Sequence, residues 1–216
     1  MELEIEQAQP KSAGEKTAKI ISYLFHPLLM PTYGFVALFF TKNYISTFTP
    51  LNLRLFILLV TFIFTFALPA INAFILLNIG RIKSLEMEAA EERFVPYIST
   101  ALYYFALFYL FHTVTDFPSI FKTLVLGAAV SIVLVLLITT KWKISAHAVG
   151  IGGMIAAIIG ISFKLSIDLL LISMISIIIA GFVGFARLKL NAHSPSQVYT
   201  GFLLGFLVEF LLMIFL

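Results

Sequence analysis

Residues 124–138 read LVLGAAVSIVLVLLI, a stretch with no charge and no polar side chain larger than serine. A soluble amphipathic helix would break such a run with polar residues every third or fourth position, and a barrel strand would alternate apolar with polar. Neither pattern is present, and the apolar character continues over 119–140, enough to cross a bilayer core, which takes about 20 helical residues. Working outward, comparable runs lie near residues 20–40, 54–77, 96–112, 146–163, 165–185 and 197–216. The pattern predicts an all-α, polytopic integral membrane bundle of six to seven transmembrane helices, with seven as the count. Composition agrees: 61% of the 216 residues are hydrophobic and 12% charged, with a mean hydropathy of +1.05, outside the range of soluble domains.

Residues 1–19 mix acids with lysines and lack an apolar stretch ending in a small-residue cleavage site, so they read as a polar N-terminal segment rather than a signal peptide. Residues 20–216 read as one transmembrane domain, with no repeat, low-complexity tract or long linker. The chain has no cysteine, which excludes disulfides and thiolate metal sites. A net charge of +3 suits basic membrane loops and excludes the dense basic surface a nucleic-acid partner requires.

Counting spans places polar segments alternately on two faces. One face receives the N-terminus and residues 80–95, 141–145 and 185–196; the other receives residues 41–53, Asp116, Lys164 and the C-terminus. Lysine and arginine divide ten to four in favour of the first face, so the positive-inside rule makes it cytoplasmic. By the same parity Arg93, the segment Lys143–His147 and the segment Arg187–His193 all emerge on that face, as one shared site requires. An odd number of spans between any two would separate them by about 30 Å of hydrocarbon.

The spacing within these segments resembles the type 2 phosphatidic acid phosphatase superfamily, which also includes vanadium haloperoxidases. Its last motif is similar to Arg187, five residues, His193, three residues, Gln197, followed by Gly201 and Gly205. Its middle motif, Pro-Ser-Gly-His, is similar to Ile144-Ser145-Ala146-His147. Its first motif is matched least, by Arg93 and Pro96 with Glu86 where the family has lysine. The resemblance covers about residues 81–205, a phosphatase-like core within the membrane domain.

The resemblance implies a metal-independent lipid-phosphate or lipid-diphosphate phosphatase needing no cofactor. His193 would be the nucleophile that forms a phosphohistidine, His147 the general acid, and Gln197 the residue that orients the nucleophile. Arg187, Arg93, Lys143 and Ser145 would hold the substrate phosphate. These residue types suit the work: guanidinium meets phosphate oxygens two at a time, imidazole exchanges protons near neutral pH, and helix N-termini attract anions. Gln197 departs from the family's aspartate; its carbonyl can accept the same hydrogen bond but carries no charge, and Glu92 is a candidate to supply it. The expected partners are the bilayer and a phosphorylated acyl or isoprenoid lipid, with no nucleic acid; a homo-oligomer is compatible. The expected location is a bacterial inner membrane, multi-pass, with the N-terminus and the site on the cytoplasmic face.

Each of these residues also has a structural reading. Ser194-Pro195-Ser196-Gln197 spells a helix capping box. Lys141, Trp142 and Lys143 form an interfacial anchor. Arg93 can pair with Glu88, Glu91 or Glu92 on a short surface helix. Gly150, Gly153, Gly160, Gly201 and Gly205 permit close helix packing. His26, a few residues inside the first span and followed by Pro27 and Pro31, and Tyr33 are further candidates, because a kink at the prolines could let them reach the site. The alternatives are a catalytically silent relative that binds a phosphorylated headgroup, a small lipid or solute carrier on the same scaffold, or a structural subunit presenting the aromatic run 103–112. Magnesium-dependent diphosphate chemistry is excluded, since Asp116 and Asp168 are the only aspartates and both fall on the opposite face. There is no phosphate-binding glycine loop for nucleotide hydrolysis.

Overall fold

The structure is a computed structural model that describes residues 13–87, 89–114 and 117–216. Its helices are α1 (Ala13–Leu24), α2 (Met30–Phe40), α3 (Tyr44–Phe48), α4 (Leu51–Phe62), α5 (Leu68–Asn78), α6 (Ala90–Thr113), α7 (Ser119–Thr139), α8 (Ala146–Leu165), α9 (Leu170–Lys189) and α10 (Pro195–Phe215). Among the described residues seven stretches are long and apolar enough to cross a membrane, which establishes the all-α polytopic bundle. Two of them are compound: Ala13–Phe40 joins α1 to α2, and Leu51–Asn78 joins α4 to α5. The first span begins at Ala13, earlier than hydropathy placed it, and the third already includes Glu91 to Val95, so Arg93 sits in the first turn of a spanning helix rather than on a separate surface helix.

Proline explains both interruptions. Pro27 ends α1 and opens a short 3-10 turn, Pro27–Leu29, which His26 caps by accepting the Leu28 N–H at 3.3 Å. In the second span Pro69 has no N–H to offer the carbonyl of Thr65, four residues back. A π-turn, Ile63–Ala67, forms there, and the Tyr104 hydroxyl donates to that carbonyl at 3.3 Å.

Helix α8 is the central strut, with Ile151, Ile155, Ile158 and Ile161 all buried. Its seam with α10 is backbone against backbone: a Cβ on Gly205 or Gly152 would run into the carbonyl of Val149 or Phe202, and one on Gly201 would lie 2.8 Å from the Ser145 carbonyl. In lipid, where apolar burial gives little driving force between helices, such close approach gains dispersion contact. Gly205→Leu is therefore expected to destabilise the bundle by about 1–3 kcal/mol or more, whereas Gly181→Leu, with nothing within 4 Å, is expected to be neutral. Thermal unfolding in detergent by size-exclusion compares the two; equal midpoints would contradict the seam's role.

At the far end of the bundle Phe121 meets Phe35 and Phe39 edge-on, with ring centroids 5.5 and 5.4 Å apart, locking α2 to α7. The Arg54 guanidinium donates to the carbonyls of Thr49, Phe39 and Ser46 and so closes the loop there. Asn72 bridges α5 to α6 by donating to the Ser99 hydroxyl at 2.6 Å, whereas Asn78 is exposed. The aromatic run 103–112 is half spent inside the bundle, with Tyr104, Leu107 and Phe111 buried.

Candidate functional site

Two helix starts and one helix end meet at one surface, each set by local sequence. Ser145 caps α8, its hydroxyl accepting the Ala148 N–H at 3.4 Å. Ser194 and Gln197 form the capping box of α10, with Pro195 at the first helical position. Helix α9 ends with Asn191 in the left-handed region, φ 51°, a conformation asparagine tolerates. The resulting short reversal sets Arg187 in the last turn of α9 and His193 just ahead of α10. The Ser145 N–H donates to the Gln197 backbone carbonyl at 3.3 Å and ties the two helix starts together.

Between these ends and α1, α5, α6 and α7 lies a cavity of about 990 Å³. His26, Arg93, Lys143, His147, Arg187 and His193 all line it, so residues that parity could only assign to one face share one wall. The imidazoles of His26 and His147 meet edge-on at 5.5 Å between centroids. Arg187 lies close enough for its charge to act on His26, His147 and His193. Ser145 and Gln197 are not on the wall: both work behind it, Ser145 as a fully buried cap and Gln197 as a partner of His193. Tyr33 stays away from the cavity, its hydroxyl donating to the Leu24 carbonyl at 2.8 Å. Glu88 and Asp116 lie outside the described residues.

The hydrogen bonds assign protons. The side-chain oxygen of Gln197 accepts the Ser194 N–H at 3.1 Å, which fixes its amide orientation, and the same oxygen lies 3.2 Å from His193 Nδ1. Nδ1 must then carry the proton, leaving the lone pair of the neutral ring on Nε2. The helix cap and the orienting contact are thus made by one glutamine at once. His147 Nε2 donates to the Ser22 carbonyl at 3.1 Å, so Nδ1 is the nitrogen free to exchange a proton. Arg187 Nη1 donates to the Ser22 hydroxyl at 3.2 Å, while its Nε is buried with no hydrogen-bond partner among the described residues. A buried donor left unpaired is costly, and an anion oxygen is its natural complement.

Burial, and then the positive charge of Arg187, lower the His193 pKa to about 4. Both disfavour the imidazolium form, so the ring stays neutral from neutral pH down to the neighbourhood of that value. NMR titration of labelled histidine, with His193→Ala for assignment, is expected to give a midpoint near 4 for this ring. A midpoint at or above the ordinary histidine value would mean that the ring is solvated and unburdened by Arg187.

Sequence reasoning missed three members of this site. Ser22, the hub that joins Arg187 to His147, carries no signal, being one serine in a helix. Tyr97, a partly buried residue of the cavity wall within reach of the charges of Arg93 and Arg187, was equally silent. Glu86, not Glu92, lines the cavity beside the cations, and its charge acts on Arg187. Among the described residues no group of three or more His, Asp or Glu side chains is arranged to hold a metal ion. No family model, no curated protein and no solved structure matches this chain.

Proposed function

We propose that the protein is a lipid-phosphate or lipid-diphosphate phosphatase, a divergent member of the type 2 phosphatidic acid phosphatase superfamily working through a phosphohistidine. The observation that carries this reading is the convergence of His147, His193 and Arg187, with its unpartnered Nε, on one cavity. Phosphate oxygens bind Arg187, Arg93 and Lys143. His193 Nε2 attacks phosphorus in line, the bond to the ester oxygen breaks, and that oxygen takes a proton from Nδ1 of a protonated His147. Water then attacks the phosphohistidine, giving its proton to His147; the P–N bond breaks, and inorganic phosphate leaves.

The ligand's chain reaches the cavity from the bilayer. Tyr23 and Phe74 both line the cavity, yet are 70% and 54% exposed, which supports a lateral opening between α1 and α5. The ten-to-four distribution of Lys and Arg supports placing the site on the cytoplasmic face of a bacterial inner membrane.

A second reading, a silent relative that binds a phosphorylated headgroup, is favoured by one observation: Gln197 supports His193 without the charge that would stabilise its cationic form. Purified protein in detergent is given a panel of acyl and isoprenoid lipid phosphates and diphosphates. Phosphate release, with acid-labile phosphate retained on the protein, is expected for the enzyme. Headgroup binding without release identifies the silent relative, and neither result removes both readings.

A further inference from the structure

Glu209 lies in α10 about fifteen residues beyond Ser194, which at 1.5 Å per residue is roughly 20 Å deeper into the membrane than the histidines. It is the only charged residue in Pro195–Phe215, is 3% exposed, and lines the same cavity. Its carboxyl occupies the space that a side chain at Gly127 would fill, so α7 has yielded a side chain to admit it. Oε1 is buried and has no hydrogen-bond partner among the described residues. Along α7 from Gly127 toward the histidines the cavity is lined by Ala128, Ser131, Ile132 and Val135, and on α6 by Thr100 and Tyr104, whose hydroxyls are taken up by the carbonyls of Pro96 and Thr65.

The cavity thus carries cations and imidazoles at one end and, at the other, a carboxyl oxygen with no hydrogen-bond partner among the described residues. A cavity shaped only for a hydrocarbon tail would end in apolar side chains, because a buried polar atom left without a hydrogen-bond partner is destabilising. We propose that Glu209 is a second ligand-binding group, taking a hydrogen-bond donor, a hydroxyl, that the ligand carries roughly 20 Å from its phosphate on an otherwise apolar chain. The proposal rests on the phosphate-binding reading of the cavity mouth and specifies the ligand class as bipolar.

The test uses the full chain in detergent and straight-chain alkyl phosphates of increasing length, each paired with its ω-hydroxy counterpart. Once the chain is long enough to reach Glu209, the ω-hydroxy member is expected to bind roughly three- to tenfold tighter, the worth of one net hydrogen bond. Glu209→Gln, which keeps an acceptor oxygen, retains the preference; Glu209→Leu reverses it. Should the leucine variant not fold, carbodiimide labelling of Glu209 in the wild-type chain, read by mass, replaces it: the ω-hydroxy phosphate protects, the plain one does not. Equal binding of the two series by wild type, or protection by both, overturns the proposal and leaves Glu209 holding no more than a water, while the phosphate reading stands. Binding of neither series overturns both.

Discussion

His193→Ala is expected to lower phosphate release from a lipid phosphate by at least about 10³-fold and to leave headgroup binding nearly intact. The asymmetry follows from the geometry. His193 Nε2 holds the lone pair because Nδ1–H donates to Gln197, and burial beside Arg187 keeps the ring neutral, so on the proposed mechanism the group lost is the attacking atom. On the same proposal binding is carried by the cations, which the substitution leaves in place. A parallel change, Gln197→Asp, supplies the charge that the orienting contact lacks and is expected to raise the rate of the chemical step; serine-protease work places the reverse change near 10⁴-fold. Release measured at saturating substrate separates the chemical step from binding. A His193→Ala protein that releases phosphate at the wild-type rate would end the phosphohistidine reading.

Arg187→Met is expected to weaken headgroup binding by about 10²- to 10³-fold, since it removes charge-assisted hydrogen bonds worth about 1.5–3 kcal/mol each. Arg187→Lys is expected to recover only part of this, because an ammonium keeps the charge but not the planar fork. Arg187 also donates to the Ser22 hydroxyl, so part of any effect is structural; a thermal midpoint measured alongside identifies that part. Lys141→Met, at an exposed position away from the cavity wall, is the charge-matched control and is expected to bind normally. Equal affinities for Arg187→Met and the control would show that the guanidinium serves only to hold α1 against α9.

That Arg93, Lys143, His147, Arg187 and His193 lie at one surface was legible before the fold. Arg187 and His193 are close in sequence, and a short reversal between helices necessarily leaves them at one surface. The capping box at 194–197 was readable because capping depends on four consecutive residues. Arg93 was placed on the wrong element, since hydropathy underweights the charged first turn of a spanning helix. Glu92 was considered as the carboxylate that could make up for the uncharged Gln197, but it is Glu86 that lines the cavity and acts on Arg187, a pairing across elements that nearness in sequence does not encode. Glu209 was overlooked, although a lone carboxylate inside a span is itself a sign of function.

Hydropathy alone determined the seven spans, and parity alone determined that the histidines and cations share a face, because both depend only on local composition and on the thickness of the bilayer. Tertiary structure alone decided that the His26 ring meets His147, and that Ser22 joins His147 and Arg187, partners 125 and 165 positions away. It also set Glu209 into the notch at Gly127. Contacts of that separation follow from how helices pack through small residues and close backbone approach, and no local period in the chain encodes which faces will meet.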